Sequence, residues 1–150
     1  MQNADIARTF ERLANLLELK GESMFKIQAY RRAARVIKQL PADIGLMMRE
    51  HTLKSIPGVG EAIARKIEQL ATTGKMDAYE RVKSEFPQGI IDIMDTPHVG
   101  PRLAARFLSE LHITTIDQLK EALADGSVAA MSRVGAKTAQ KILDCIEKTP

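Results

Sequence analysis

The chain has 150 residues, 45% of them hydrophobic and 27% charged, which is enough for one ordinary domain or two small ones and too apolar for a disordered tail. No stretch approaches the roughly 18 consecutive apolar residues of a membrane span, and the amphipathic, charged segment from Met1 to Leu19 does not read as a signal peptide. A cytoplasmic, nucleoid-associated protein is expected, and the single Cys145 excludes an internal disulfide or a cysteine-based zinc site.

Nearly everything reads as helix. Asp5 to Lys20 carries apolar residues at Ile6, Phe10, Leu13, Leu16 and Leu17 and stops at Gly21, and Phe25 to Leu40 stops before Pro41. A turn around Asp43 to Glu50 leads to a helix from Glu61 to Thr73, with Gly74 as its C-cap. The second half has helices at Ala78 to Glu85, Ile90 to Met94, Pro101 to Leu111 and Ile116 to Ala124, then a last one reaching Glu147. Pro101 suits a first helical position, where its missing N–H costs nothing. No run alternates with period two for long enough to be a strand. The sequence therefore predicts an all-α protein of two small helical subdomains, 1–75 and 76–150, divided near Gly74 to Asp77.

A short phrase recurs three times: Ile56-Pro-Gly-Val-Gly-Glu-Ala-Ile-Ala-Arg-Lys-Ile67, Thr96-Pro-His-Val-Gly-Pro-Arg-Leu-Ala-Ala-Arg-Phe107 and Met131-Ser-Arg-Val-Gly-Ala-Lys-Thr-Ala-Gln-Lys-Ile142. Each begins with a tight turn and runs into a helix whose first N–H groups have no internal partner, and that arrangement attracts anions. Apolar residues at helical spacing, Ile56, Val59, Ile63, Ile67 and Leu70 in the first copy, can bury the inner side. Such a turn holds a phosphate chain without reading bases, which predicts sequence-independent affinity. Charge favours the first copy: residues 20–75 carry eleven Lys/Arg against five Asp/Glu, and residues 76–150 carry nine against eleven. The copies also grade in chain order, because His98 replaces the first glycine in the second, and Ser132 and Arg133 replace Pro and Gly in the third. A plain helical corner is the alternative for each, and the third reads as one.

The phrase resembles the helix-hairpin-helix motif of DNA repair proteins. Together with Lys20-Gly-Glu-Ser-Met-Phe-Lys-Ile-Gln-Ala-Tyr-Arg-Arg-Ala-Ala-Arg-Val-Ile37 and Ala71-Thr-Thr-Gly-Lys75, it resembles the N-terminal part of family X DNA polymerases, of the DNA polymerase beta type, from about Asp5 to Lys148. The resemblance implies a lyase-type domain binding the 5′-phosphate of gapped or nicked DNA, followed by a domain whose hairpin grips duplex. It implies that Lys66 attacks the sugar aldehyde left after base removal, and that Lys26, Tyr30 and Lys54 surround the 5′-phosphate. A Schiff base needs a neutral primary amine, so neighbouring cations are sought for Lys66, with Arg65, Lys26 and Arg31 the candidates. Gly58, Val59 and Gly60, then His98, Val99, Gly100 and Arg102, are the expected hairpin contacts to DNA, and Arg31 and Arg65 are expected to contact it as well. The resemblance also implies a Na+ or K+ held by the carbonyls of Lys54, Ile56 and Val59, and of Met94, Thr96 and Val99, whereas lyase chemistry needs no cofactor. Phe25 stands where the vertebrate enzyme has a histidine, Ala62 and Ala78 where it has lysines, and Arg65 where it has a glutamate. These departures thin the phosphate pocket.

Nucleotidyl transfer in this family needs an Asp-x-Asp pair for two metal ions, and the chain has none. Its only Gly-Ser, Gly126-Ser127, falls in a turn. Asp92 and Asp95 read as a solvated helix edge, and His51, His98 and His112 form no ligand spacing. The expectation is a monomer that binds DNA and does not itself polymerise it, with a palm domain in cis if the chain is a fragment. A stand-alone non-catalytic DNA-binding adapter and a protein-interaction module remain as alternatives.

Overall fold

The computed structural model describes residues 1–148, and every regular element among them is helical. The chain divides into two compact units, Met1–Glu85 and the part from Phe86 onward.

In the first unit, α1 (Asn3–Lys20) starts where the Asp5 carboxylate accepts the Gln2 N–H at 3.1 Å, and it ends at Gly21 in the left-handed region. α2 (Met24–Gln39) is capped by Ser23, whose hydroxyl accepts the Lys26 N–H, and it stops at Leu40 ahead of Pro41. Ile6, Phe10, Leu13 and Leu17 of α1 meet Ile27, Ala33 and Ile37 of α2 in a core from which water is excluded. The segment expected to be a turn around Asp43 to Glu50 holds a six-residue helix, α3 (Ile44–Arg49). Asp43 caps it by accepting the Gly45 N–H, and the Asn3 side chain braces its start, donating to the Ala42 carbonyl and accepting the Ile44 N–H. A 3-10 turn, Leu53–Ser55, then leads into α4 (Glu61–Thr73), closed by left-handed Gly74.

α5 (Asp77–Ser84) packs on α1, so the first compact unit runs on to Glu85. Met76 is buried in the first core, and Lys20 pairs with Glu85 at 3.1 Å.

The second unit comprises α6 (Gln88–Met94), α7 (Gly100–Leu111), α8 (Ile116–Ala124) and α9 (Gly135–Lys148). Its interior is aliphatic around one ring: Ile90, Ile93, Ala104, Leu119, Val128 and Ile142 are fully buried, as is Phe107. Gly89 lies against the Thr114 carbonyl, so α6 approaches the α7–α8 connection at backbone distance. No described helix is long and apolar enough to cross a membrane.

Candidate nucleic-acid interface

The three recurring phrases fold into three turns with a common hydrogen bond. The Val59 N–H donates to the Ile56 carbonyl at 3.0 Å, Val99 to Thr96 at 3.1 Å and Val134 to Met131 at 3.2 Å. The residue before each valine has positive φ, 83° at Gly58, 73° at His98 and 65° at Arg133. An L side chain there costs about 1–2 kcal/mol, so the second and third turns keep the geometry under strain that the first avoids. The second glycine separates the copies. Gly60 is extended at φ −91°, whereas Gly100 and Gly135 are left-handed at 71° and 76°. A Cβ on Gly60 would meet nothing within 4 Å, so neither backbone nor packing demands glycine at that position.

At the first turn Val59 and Ile56 are buried, while Pro57, Gly58 and Gly60 are exposed. No side chain caps α4, so its leading N–H groups remain available to an anion. Lys54 is exposed on the 3-10 turn and Lys26 on the first turn of α2, and neither ammonium has an ion pair or hydrogen bond among the described residues. Arg32, which the sequence reading passed over, crosses the turn: a Cβ on Gly58 would lie 3.1 Å from its Nε. This guanidinium is exposed and without a partner among the described residues. The Tyr-Arg-Arg run of α2 was legible, but which arginine faces the turn depends on how α2 packs.

Arg31 is the one committed elsewhere. It donates to Glu11 and Asn15 at 2.9 Å and to Glu18 at 2.6 Å, fastening α2 to α1. Arg65 donates to Glu61 at 2.8 Å. Two of the three cations sought as neighbours of Lys66, Arg31 and Arg65, are thus compensated by carboxylates. Lys66 is half-buried, with Nζ 5.7 Å from the centre of the Tyr30 ring. Tyr30 in turn leans on Phe10, ring centres 6.2 Å apart, which makes it a rigid wall for the amine. Ala62, Arg65, Lys66 and Gln69 line a shallow depression on the same helix.

In the second unit the turns of the second and third copies share one cleft of about 500 Å³, lined by Val99, Arg102, Leu103, Arg106, Ser132, Arg133, Val134 and Thr138. Arg106 holds them together, donating to the Ser132 carbonyl at 2.7 Å and to Glu110 at 2.7 Å. The hydrogen bond from Arg106 holds the Glu110 carboxyl below its ordinary value, against an opposing effect of burial. His98 and Arg133 are exposed at the two apices, with Arg102 exposed on α7. Pro101 sits in the first turn of α7 and removes one N–H from the set this hairpin can offer. Met94 and Val99 are buried, while Thr96 is half-buried beneath the turn. No group of three or more His, Cys, Asp or Glu side chains that could hold a metal ion occurs among the described residues.

Turns of this construction, each placing a glycine two residues behind a left-handed one at the head of a helix, define a class. Residues 1–76 match the family described as the helix-hairpin-helix domain, to which the chain belongs, and residues 90–148 match the SAM-like helix-hairpin-helix tandem. The chain is similar to the DNA polymerase/3′-5′ exonuclease PolX of Bacillus subtilis (strain 168), 30% identical over 146 residues that make up 97% of this chain and 25% of that protein. It is also similar to DNA polymerase lambda of Arabidopsis thaliana, 27% identical over 136 residues, 90% of this chain and 24% of that one. Both relatives are family X polymerases, and the chain spans about a quarter of their length.

Proposed function

We propose that this chain is the DNA-binding N-terminal region of a family X DNA polymerase, which grips gapped or nicked DNA by its phosphates during base excision repair. The observation that carries this reading is the first hairpin, an exposed and uncapped turn flanked by Lys26, Arg32 and Lys54, cations without a partner among the described residues. Backbone amides and mobile cations recognise phosphate and carry no base information. The hairpin of α7, with His98, Val99, Gly100 and Arg102, is the second grip. Nucleotidyl transfer would belong to a palm domain in cis. The Ile56 and Thr96 carbonyls each accept one turn N–H and keep a second lone pair, so the Lys54, Ile56 and Val59 carbonyls would hold one Na+ or K+ at the first turn, and the Met94, Thr96 and Val99 carbonyls another at the second, each ion supplying positive charge for a phosphate.

A glycine pair tests the grip. Gly60→Ala is expected to leave the melting temperature unchanged, since φ is −91° and the Cβ site is open, while weakening DNA binding by placing a methyl where the phosphate chain approaches. Gly100→Ala is expected to cost the second unit about 1–2 kcal/mol, because φ is 71° there. Thermal denaturation beside fluorescence anisotropy on gapped duplex reads both. Equal DNA affinity for Gly60→Ala and the parent would remove the first turn from the interface.

The same reading makes Lys66 the lyase nucleophile. Its amine would add to the aldehyde carbon and expel water, and the resulting Schiff base would allow β-elimination, in which a C2′ proton passes to water as the C3′–O bond breaks and the phosphate stays on the strand. Borohydride should then trap the chain on DNA bearing a 5′-deoxyribose phosphate. Lys66→Ala should lose the adduct while keeping most of its affinity. An absent adduct reduces the chain to a non-catalytic DNA-binding module, and one that persists in Lys66→Ala removes Lys66 as the nucleophile and moves the Schiff base to another amine.

A further inference from the structure

We propose that the furrow between α1 and α2 is a second nucleic-acid track, which holds a single strand continuing from the first hairpin. The inference rests on the DNA-binding reading above and extends it to a surface that the hairpins do not include. The furrow is about 810 Å³, floored by Ala4, Ala7 and Ala34 and walled by Arg8, Arg12, Arg35 and Lys38. Positions 4, 7, 8 and 12 of α1 and 34, 35 and 38 of α2 recur at three- and four-residue spacing, so each set occupies one helix face. Arg31 and Glu11 also line it, but their ion pair at 2.9 Å makes that end self-compensated.

Arg8 makes an ion pair with Asp5 at 3.8 Å, but Arg35 and Lys38 have no ion pair or hydrogen bond among the described residues. These two like charges lie three residues apart on α2, where they repel one another, and a bound polyanion relieves that repulsion.

Continuity identifies the occupant. Arg32, whose Nε lies against the Gly58 turn, begins a row of cations at three-residue spacing, Arg32, Arg35 and Lys38. Such a row winds around a helix. It leads from the hairpin over the outer face of α2 into the furrow, so a strand leaving the turn meets a cation at each step. An acidic peptide would suit the alanine floor equally well, but nothing would direct it to the hairpin end. Two helices packed about 8–10 Å apart leave a furrow that one extended chain can enter and a double helix cannot. With no aromatic ring in the lining, bases cannot stack there, so the contact runs through phosphates.

The test compares the full chain with an Arg8→Ala, Arg35→Ala, Lys38→Ala variant on two fluorescent probes. One is a gapped duplex, and the other is the same duplex with a 5′ single-stranded oligothymidine extension of about 15 nucleotides. The parent should bind the extended probe more tightly. The variant should lose about tenfold on that probe near 0.1 M salt, its log–log salt slope falling by about 2, while staying within about twofold on the unextended one. Should the triple variant fail to fold, Arg35→Ala with Lys38→Ala reads the same contrast. Equal parent affinity for the two probes, an unaffected variant, or a variant weakened equally on both overturns the track. So does binding of poly-glutamate that the variant loses while its DNA binding stays intact. A parent that binds neither probe overturns the DNA-binding reading itself, which is a separate result.

Discussion

Substituting alanine for Gly89 is expected to abolish cooperative melting of the second unit while the first melts as before. A Cβ at this position would lie 2.1 Å from the Thr114 carbonyl oxygen and 3.2 Å from the Thr115 Cα. Both obstacles are backbone, so no rotamer change relieves them. Overpacking ordinarily costs about 1–3 kcal/mol, and a clash this deep with main chain exceeds that range. A unit this small has only a few kcal/mol in reserve, since folded stability amounts to about 0.05–0.15 kcal/mol per residue. Calorimetry of the full chain should lose one component of its transition. Amide exchange should show the first hairpin still protected and residues from Phe86 onward open. A melting profile unchanged by the substitution would mean that α6 can withdraw from the α7–α8 connection without loss.

The second large effect concerns Phe10. Its ring is completely buried and supports Tyr30, whose face receives the Lys66 ammonium. Phe10→Ala should destabilise the first unit by about 3–5 kcal/mol. Phe10→Leu conserves more volume and should recover much of that loss. Urea unfolding followed by tyrosine emission measures both, since the chain has no tryptophan. The pair separates packing from positioning. If Tyr30 sets the Lys66 geometry, Phe10→Leu should still lose borohydride trapping under conditions where it is fully folded. Undiminished trapping would show that the amine is placed by α4 alone.

Local signals in the sequence located the helices well. Gly21, Pro41 and Gly74 ended helices as expected, because each acts through its own backbone. What stayed illegible involved contacts between distant residues. Met76 and α5 pack against the first core because α1 offers them a face, which nothing in residues 75–85 announces. Arg31 turned toward α1 because Glu11, Asn15 and Glu18 recur at helical spacing there, a match visible only after the two helices are paired. Its neighbour Arg32 gained the hairpin for the same reason. The third phrase read as a mere corner once its Pro and Gly were gone. Folded, it keeps the hydrogen bond and the left-handed residue of the other two, because turn geometry is set by chain direction and burial of the valine side as much as by glycine.

That shared left-handed residue separates two properties that sequence motifs usually bind together. Gly58, His98 and Arg133 share a left-handed backbone at the exposed apices of the three turns, yet they present bare peptide, an imidazole and a guanidinium. The local bend recurs while the chemistry of the tip varies. A side chain placed at Gly58 would have to bear the left-handed strain and displace Arg32, so the bare tip of the first turn is tied to the cation that crosses it.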